Sequence, residues 1–438
     1  MSVKLKNLLF VNLCATCVVL AFLATALNTA LPAMALGLGV NDATVQWLVS
    51  GYALALAVFM PATGYLVSRF PSRPLYLAAV GTFCLCCAVC ALCSSFPLVM
   101  LARVGQAAAN ALVSNLTQVS IMRMFPKEQR GARMGWFGLS VGFAPVVAPA
   151  LGGLIVDVLG WRALFALVSC AAVFCLLAAF VLIKNTLALD PKKMDVTSFG
   201  LSILVFGGLA IGLGQLPSRG LLDPVTIIAI LLGLAASFVF VPRQLRAQDP
   251  FLNLRLLKNK SFARAVLGSS ALYALMMGGA AVLPLYLQGA LGCSASIAGL
   301  AVLPAALLMA LVNPLAGKIF DAHGMPRIAF ASVLLLLAGN LLMCVPGSNE
   351  CVLWAVFCAS LRYVGIGLVQ MPLVTWGNNS VCDKDMPQAT AILTTSRNVF
   401  GALGVAVFVG VLDSAGVEFA FAGMAALSFV LLVASKER

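Results

Sequence analysis

The chain has 438 residues, of which 62% are hydrophobic and only 9% charged, whereas soluble domains run at roughly 45–50% apolar and about 25% charged. So few charges cannot cover the surface of a water-soluble globule this large. A soluble enzyme, a nucleic-acid-binding domain and a disordered chain are therefore excluded, and a polytopic membrane protein remains. The net charge of +13 suggests nucleic acid only until the charges are placed, since they gather between apolar runs as the positive-inside rule requires.

A membrane helix needs roughly 20 mostly apolar residues, so the length admits about 12 to 15 spans. The apolar runs are continuous and do not alternate, which argues against a lipid-facing β-barrel. In chain order the expected spans are 8–31, 44–67, 74–93, 97–124, 132–156 and 161–183, then 196–216 and 221–241, then 262–287, 295–316, 325–345, 351–376, 388–412 and 416–434. Lys4 and Lys6 precede the first run like the basic start of a signal peptide. The run is too long for one and lacks a small-x-small cleavage site, so it is expected to stay as a helix.

With the first terminus inside and strict alternation, Arg162 and Arg219 fall on outer segments and Arg103, Arg362 and Arg397 inside spans. The rest of the 27 Lys and Arg residues fall on the cytoplasmic side. One span more or fewer would scramble this pattern, so the charges support both the count and two cytoplasmic termini. The predicted organisation is an N-terminal six-helix bundle (1–184), two additional helices with flanking cytoplasmic linkers (185–260) and a C-terminal six-helix bundle (261–438). Gly64 to Arg73 after the second span and Gly317 to Arg327 after the tenth form a weak repeat. Such repeats are a common transporter design, with the substrate site between the halves.

Polar groups inside hydrocarbon are expensive and need a reason. Arg103, Gln106, Asn110, Asn115 and Gln118 lie on the fourth span, where Gln106 and Asn110 share a face. They are expected either to line a watery path or to bond between helices; Arg103 could also snorkel or meet a helix C-terminus. Arg362 and Arg397 could attract anions or hold helices together. Pro145 and Pro149 should bend the fifth span, and its glycines permit close helix contact. No acidic residue lies in mid-span, which leaves Asp413, at an outer end, as the proton-carrier candidate.

The cysteines, including Cys84, Cys86, Cys87, Cys90 and Cys93, sit in apolar runs without His or carboxylate nearby and read as packing residues. His323 is the only histidine, no serine has an activating partner and no phosphate-binding Gly-rich loop is present. No enzyme activity, metal or cofactor is expected.

The motifs together resemble the major facilitator superfamily, and within it the fourteen-span drug:proton antiporter (multidrug resistance transporter) branch. Thr25 to Pro32, with Asn28, resembles the first-helix signature, and Gln46-Trp47 with Tyr52 follows. Arg103-x-x-Gln106 resembles the fourth-helix motif, and Phe125 to Arg133 the loop after it. Pro149-x-x-Gly152-Gly153 resembles the fifth-helix antiporter motif, followed by Trp161-Arg162. Pro284 to Gln288, Ala298 to Leu300, and Arg397 with Gly401 and Gly404 continue in register. The chain departs from the pattern at Leu23 (acidic in the signature), Ser68 (Asp), Pro71 (Gly) and Ala148 (Gly).

The resemblance implies the major-facilitator fold and an inner-membrane secondary transporter that exports amphipathic small molecules by proton-coupled alternating access. Asn28, Arg103, Gln106, Asn110, Gln370 and Arg397 are the expected pathway residues. Arg69, Arg73, Pro145, Pro149, Gly152, Gly153, Gly317, Asp321, Gly324 and Arg327 are the expected gating residues. Arginine in the path without an acid favours an anionic or neutral substrate. An uncoupled or differently coupled facilitator is the alternative, because Leu23 replaces the acid. The expected partners are a small molecule and the bilayer, with proton coupling and any partner protein left open and no nucleic acid.

Overall fold

The computed structural model describes residues 3–183, 195–220, 223–345 and 351–435. The expected boundary between the first bundle and the added pair, at 184/185, lies outside these residues, as does most of the first charged linker. Among the described residues the chain is helical without strands, and fourteen helices are long and apolar enough to cross a membrane. Lipid offers backbone groups no hydrogen-bond partner, so a spanning segment must bond within itself.

The first six are α1 (Val3–Leu38), α2 (Trp47–Arg69), α3 (Ser72–Leu92), α4 (Phe96–Met124), α5 (Lys127–Leu159) and α6 (Trp161–Leu182). The seventh, α7, is three continuous pieces, Val196–Ser202, a π-helical turn at Ile203–Gly207 and Gly208–Arg219. Then follow α8 (Pro224–Arg246), α9 (Lys260–Gly289), α10 (Ala295–His323), α11 (Met325–Leu342), α12 (Val352–Asn379), α13 (Met386–Ala415) and α14 (Val417–Ser435). Several overrun the expected spans. The 36 residues of α1 reach about 54 Å at 1.5 Å per residue, well past a hydrocarbon core of about 30 Å. Tight joints carry glycine where the backbone turns left-handed, as at Gly160 (φ 82°) and Gly324 (φ 75°).

The chain divides into two compact units. One comprises Met1–Met124 and Ser140–Met194; the other comprises Phe125–Leu139 and Asp195–Arg438. The division runs through α5, and it groups α7 and α8 with the last six helices. In the first unit α4 packs on α1, α2 and α3, and α6 packs on α1 and α3. In the second, α9 packs against α12, α13 and α14, and α12 against α10 and α11. A core of residues such as Leu275, Val282, Leu336, Ile366 and Phe421 lies between them.

The added pair is fastened to the second unit. α7 packs on α13, and Gly208 and Gly233 let α7 and α8 touch backbone to backbone, since a methyl at Gly208 would stand 2.8 Å from the carbonyl of Ala229. The segment after α8 is tied on both sides. Gln244 Nε2 donates to Ser198 Oγ at 2.7 Å, while its Oε1 accepts from the Leu252 amide at 3.0 Å. Gln388, in the first turn of α13, accepts from the Asn253 amide at 3.2 Å and donates to the Phe251 carbonyl at 3.3 Å.

Contacts between helix ends agree with the span count. In the second unit, Arg243 at the end of α8 pairs with Asp195 at the start of α7 at 3.0 Å. Asn259 before α9 donates to the carbonyl of Ser380 after α12. In the first unit, Arg73 at the start of α3 donates to the Phe180 carbonyl at the end of α6 at 2.9 Å. On the opposite side, Arg162 at the start of α6 donates to Ser94 Oγ, between α3 and α4, at 2.8 Å. Odd starts meet even ends, as alternation through fourteen spans demands.

Candidate substrate pathway and gating site

On α4, Arg103, Asn110 and Asn115 bond to α2 and Gln106 to α3, while Gln118 bonds within its own helix, to the Ser114 carbonyl at 3.3 Å. Arg103 is completely buried, with Nε donating to the Leu48 carbonyl at 3.0 Å, NH1 to Gln106 Oε1 at 2.7 Å, and the guanidinium 4.2 Å above the Tyr52 ring. It therefore neither snorkels nor meets a helix C-terminus, because Leu48 lies in the first turn of α2. The amide of Gln106 points to the sulfurs of Cys87 (3.4 Å) and Cys90 (3.7 Å) on α3. Two of the supposed packing cysteines thus serve as weak acceptors. Asn110 donates to Tyr52 Oη at 2.7 Å and Asn115 to Thr63 Oγ1 at 2.6 Å, both on α2. These bonds pin α4 to α2 and α3 between Arg103 and Asn115, and of the residues that make them only Asn110 is half-buried.

On α1, Asn28 is exposed and Leu23 is only 1% exposed. The signature position that usually bears an acid is part of the core here. Gly152 of α5 meets α1, where a methyl would stand 2.8 Å from Ala26 Cβ; nothing stands near Gly153. Pro145 and Pro149 lie between these glycines and the start of α5, inside an unbroken helix. Arg73, besides its hydrogen bond, stacks on the Phe180 ring, and Arg69 sits half-buried in the last turn of α2.

The second unit holds the repeat's surviving acid. Asp321, near the end of α10, accepts the Gly131 amide at 2.9 Å and the Ala132 amide at 2.8 Å. This places a carboxylate at the positive end of α5. Below it the two helices meet without spacers. A methyl at Gly317 would strike the carbonyl of Gly131, and one at Gly135 would strike Asn313 and Pro314 of α10. One at Gly138 would stand 2.6 Å from Met371 Cγ on α12. Arg130 adds bonds to Asn379 Oδ1 at 2.8 Å and, more weakly, to exposed Asp383 at 3.8 Å. Sequence reasoning singled out Gly317 and Asp321 but not their partners. The spacing of Gly131, Gly135 and Gly138, which puts three small residues on one helix face, was the available signal. Gly324 forms the joint to α11, and Arg327 is exposed just beyond it.

Within this seam Asn313 is completely buried with neither its amide nitrogen nor its oxygen hydrogen-bonded. An unpaired buried polar group costs roughly 1–3 kcal/mol, so the closed seam carries an energetic burden.

The remaining candidates differ in their surroundings. Arg362 is 1% exposed and fills the space left by Gly279 and Gly339, bonding to the Leu275 carbonyl and Met424 Sδ, both at 3.3 Å, beside the Phe421 ring. These contacts join α12 to α9 and α14. Gln370 is buried with only a 4.0 Å contact to Met276 Sδ. Arg397 is buried in mid-helix, its guanidinium 3.9 Å above the Tyr273 ring. Asp413 is exposed in the last turns of α13, four turns from Arg397. The structure thus gathers Arg103, Gln106 and Asn110 in one cluster, Gly317 and Asp321 in another, and leaves Asn28 and Asp413 apart.

The described cysteines are all free thiols, and among the described residues no cluster of metal-ligating side chains occurs.

Comparison with known proteins agrees with this architecture. The family model of the Major Facilitator Superfamily matches residues 13–405. Lincomycin resistance protein LmrB of Listeria monocytogenes is 32% identical over 393 residues, spanning 90% of this chain and 83% of the relative. A multidrug resistance protein B homolog of Mycobacterium tuberculosis is 26% identical over 375 residues, spanning 84% and 69%. The crystal structure of the human organic anion transporter MFSD10 (TETRAN) superposes with a TM-score of 0.73 over 100% of both chains, at 16% identity. At that identity the likeness is one of fold alone.

Proposed function

This chain belongs to the Major Facilitator Superfamily and is a membrane transporter, not an enzyme, and from that premise we propose that it exports amphipathic small molecules by alternating access. The observation that carries the reading is kinship across most of the chain with relatives named for lincomycin and multidrug resistance. The expected location is the plasma (inner) membrane with both termini cytoplasmic. In each unit taken by itself, the end with Arg73 in the first and the end with Arg130, Arg243 and Asn259 in the second is then the cytoplasmic one, in keeping with the bias of Lys and Arg.

The seam between α5 and α10 acts in this reading as the cytoplasmic gate. Asp321 holds the start of α5 while the glycine faces exclude water, and opening breaks two charge-assisted hydrogen bonds. The burden at Asn313 lowers the cost of that opening, because its amide can be solvated once the helices part. Asn110 and Gln370 supply polar contacts for a largely apolar solute, and no cofactor or partner protein is invoked.

The energy source in this reading is the proton gradient, with Asp413 as its carrier. A specific observation favours a second reading, an uncoupled or differently coupled facilitator of an anionic or neutral metabolite: Leu23 is packed into the core where the family signature has an acid. Efflux of cationic, neutral and anionic amphiphiles from cells expressing the chain, with and without a protonophore, tests both. Protonophore-sensitive efflux is expected. Flux that follows only the substrate gradient would establish the facilitator.

A further inference from the structure

Arg103, Arg362 and Arg397 lie well inside spans, away from the helix ends, and their environments differ in what each leaves unused. Arg103 commits Nε to the Leu48 carbonyl and NH1 to Gln106 and stacks on Tyr52, with NH2 alone left buried and unbonded. Arg362 bonds Leu275 and Met424 in space left by two glycines. Arg397 is 6% exposed and has no hydrogen bond or ion pair to any described residue; its sole partner is the face of Tyr273 at 3.9 Å. A guanidinium carries five N–H donors in a planar fork, and those of Arg397 are unspent. Arg397 lies in the twelfth position of α13, about 16 Å along the helix from its start, at membrane depth. A charge held there without a partner is costly and marks a functional position.

The site is built. Arg397, Gly401 and Gly404 follow at i, i+4 and i+7 on one face of α13, and that face meets α9. A methyl at Gly401 would stand 3.1 Å from Met277 Cγ and 3.6 Å from Tyr273 Cδ1, and one at Gly404 would strike Ala274. From the other side, a methyl at Gly278 would stand 3.0 Å from the Gly404 carbonyl. The missing side chains bring the helices close enough to fix the Tyr273 ring under the guanidinium. Stacking occupies one face of the cation and leaves its in-plane N–H edge for an acceptor. That edge matches a carboxylate, which accepts two parallel N–H bonds.

We propose that Arg397, stacked on Tyr273, binds the carboxylate of an anionic aromatic amphiphile carried by this transporter. This rests on the export reading and names the substrate class within it. Arg397 and Tyr273 then select the substrate by its charge, while Arg103 and Arg362 hold helices.

The test uses the full chain in proteoliposomes, with 1-naphthoate and its uncharged analogue 1-naphthamide as probes for both binding and flux. Wild type is expected to bind and move naphthoate in preference to naphthamide. Arg397→Gln should weaken naphthoate binding about 10- to 100-fold, the worth of charge-assisted hydrogen bonds, and leave naphthamide binding unchanged. Arg397→Lys should fall between, since a point charge replaces the fork. Tyr273→Leu should weaken naphthoate binding and Tyr273→Phe should not. Unchanged naphthamide binding also shows that each variant is folded. Equal loss of both probes in Arg397→Gln would make the arginine structural and overturn the proposal, as would naphthoate binding that ignores the substitution. Wild-type flux confined to cationic amphiphiles would overturn the carboxylate site and leave the export reading standing. No flux of any amphiphile would overturn the export reading and the site with it.

Discussion

Asp321 and Gly131, 190 positions apart, are joined by a 2.9 Å hydrogen bond from the backbone amide of the glycine to the carboxylate. The bond exists because Gly131 and Gly317 lack side chains at the contact of α5 and α10, which lets the acid reach backbone. Asp321→Ala should destabilise the closed seam by about 1.5–3 kcal/mol, the usual worth of hydrogen bonds to a charged group. Asp321→Asn should lose less, since it keeps an acceptor. Thermal unfolding of the purified protein ranks the three. Equal melting temperatures for wild type and Asp321→Ala would show that the contact does not hold the seam.

Asn313 predicts an effect of the opposite sign. Asn313→Leu keeps the size and removes an unpaired amide, so it should stabilise the seam by about 1–3 kcal/mol. The variant should melt at higher temperature and turn over more slowly, because the closed seam becomes harder to open. A variant both more stable and faster would separate the seam from turnover.

The network at Arg103 predicts non-additivity. Arg103→Ala leaves Gln106 Oε1 without its donor and a side-chain-sized void in the core, and should cost about 2–5 kcal/mol, as large-to-small substitutions in a packed interior do. The apolar pair Arg103→Met with Gln106→Leu should recover most of that loss. Melting curves for Arg103→Met, Gln106→Leu and the pair complete the cycle.

The ion pair of Asp195 and Arg243 gives a pH signature. The hydrogen bond from Arg243 holds the Asp195 carboxyl down at about 2, from its ordinary 3.8. Its folded value lies below its unfolded value, so its stabilisation is complete above about 4 and disappears as pH falls toward 2. The melting temperatures of wild type and Asp195→Asn should differ by a constant amount above pH 5 and converge below pH 4. A difference that grew on acidification would contradict the assignment.

The fold was legible because hydrophobicity and charge act additively along a chain in lipid. Each apolar run had one outcome, a spanning helix, and the placement of Lys and Arg fixed the parity that contacts such as Arg243 with Asp195 display. The helix ends were less legible. α1 overruns its expected span at both ends because helical hydrogen bonding continues where nothing interrupts it, and the π-helical turn in α7 has no signature in a run of apolar residues. At the candidate site, Asp321 could be singled out as the retained acid of a repeat, but its partner could not, since a backbone amide leaves no mark on the sequence.

The sequence by itself determined the fourteen spans, the class of protein and the short set of polar residues that hydrocarbon makes expensive. Only the tertiary structure decided what each of those residues does. Arg103, Arg362 and Arg397 are equivalent as letters in an apolar run. They differ because Leu48 and Gln106 meet the first, a space between glycines receives the second, and a single tyrosine ring lies under the third. Hydrophobic partitioning depends on local composition and can be read along the chain. Hydrogen-bond satisfaction depends on which groups from distant segments arrive within about 3 Å, and only the packed helices set that.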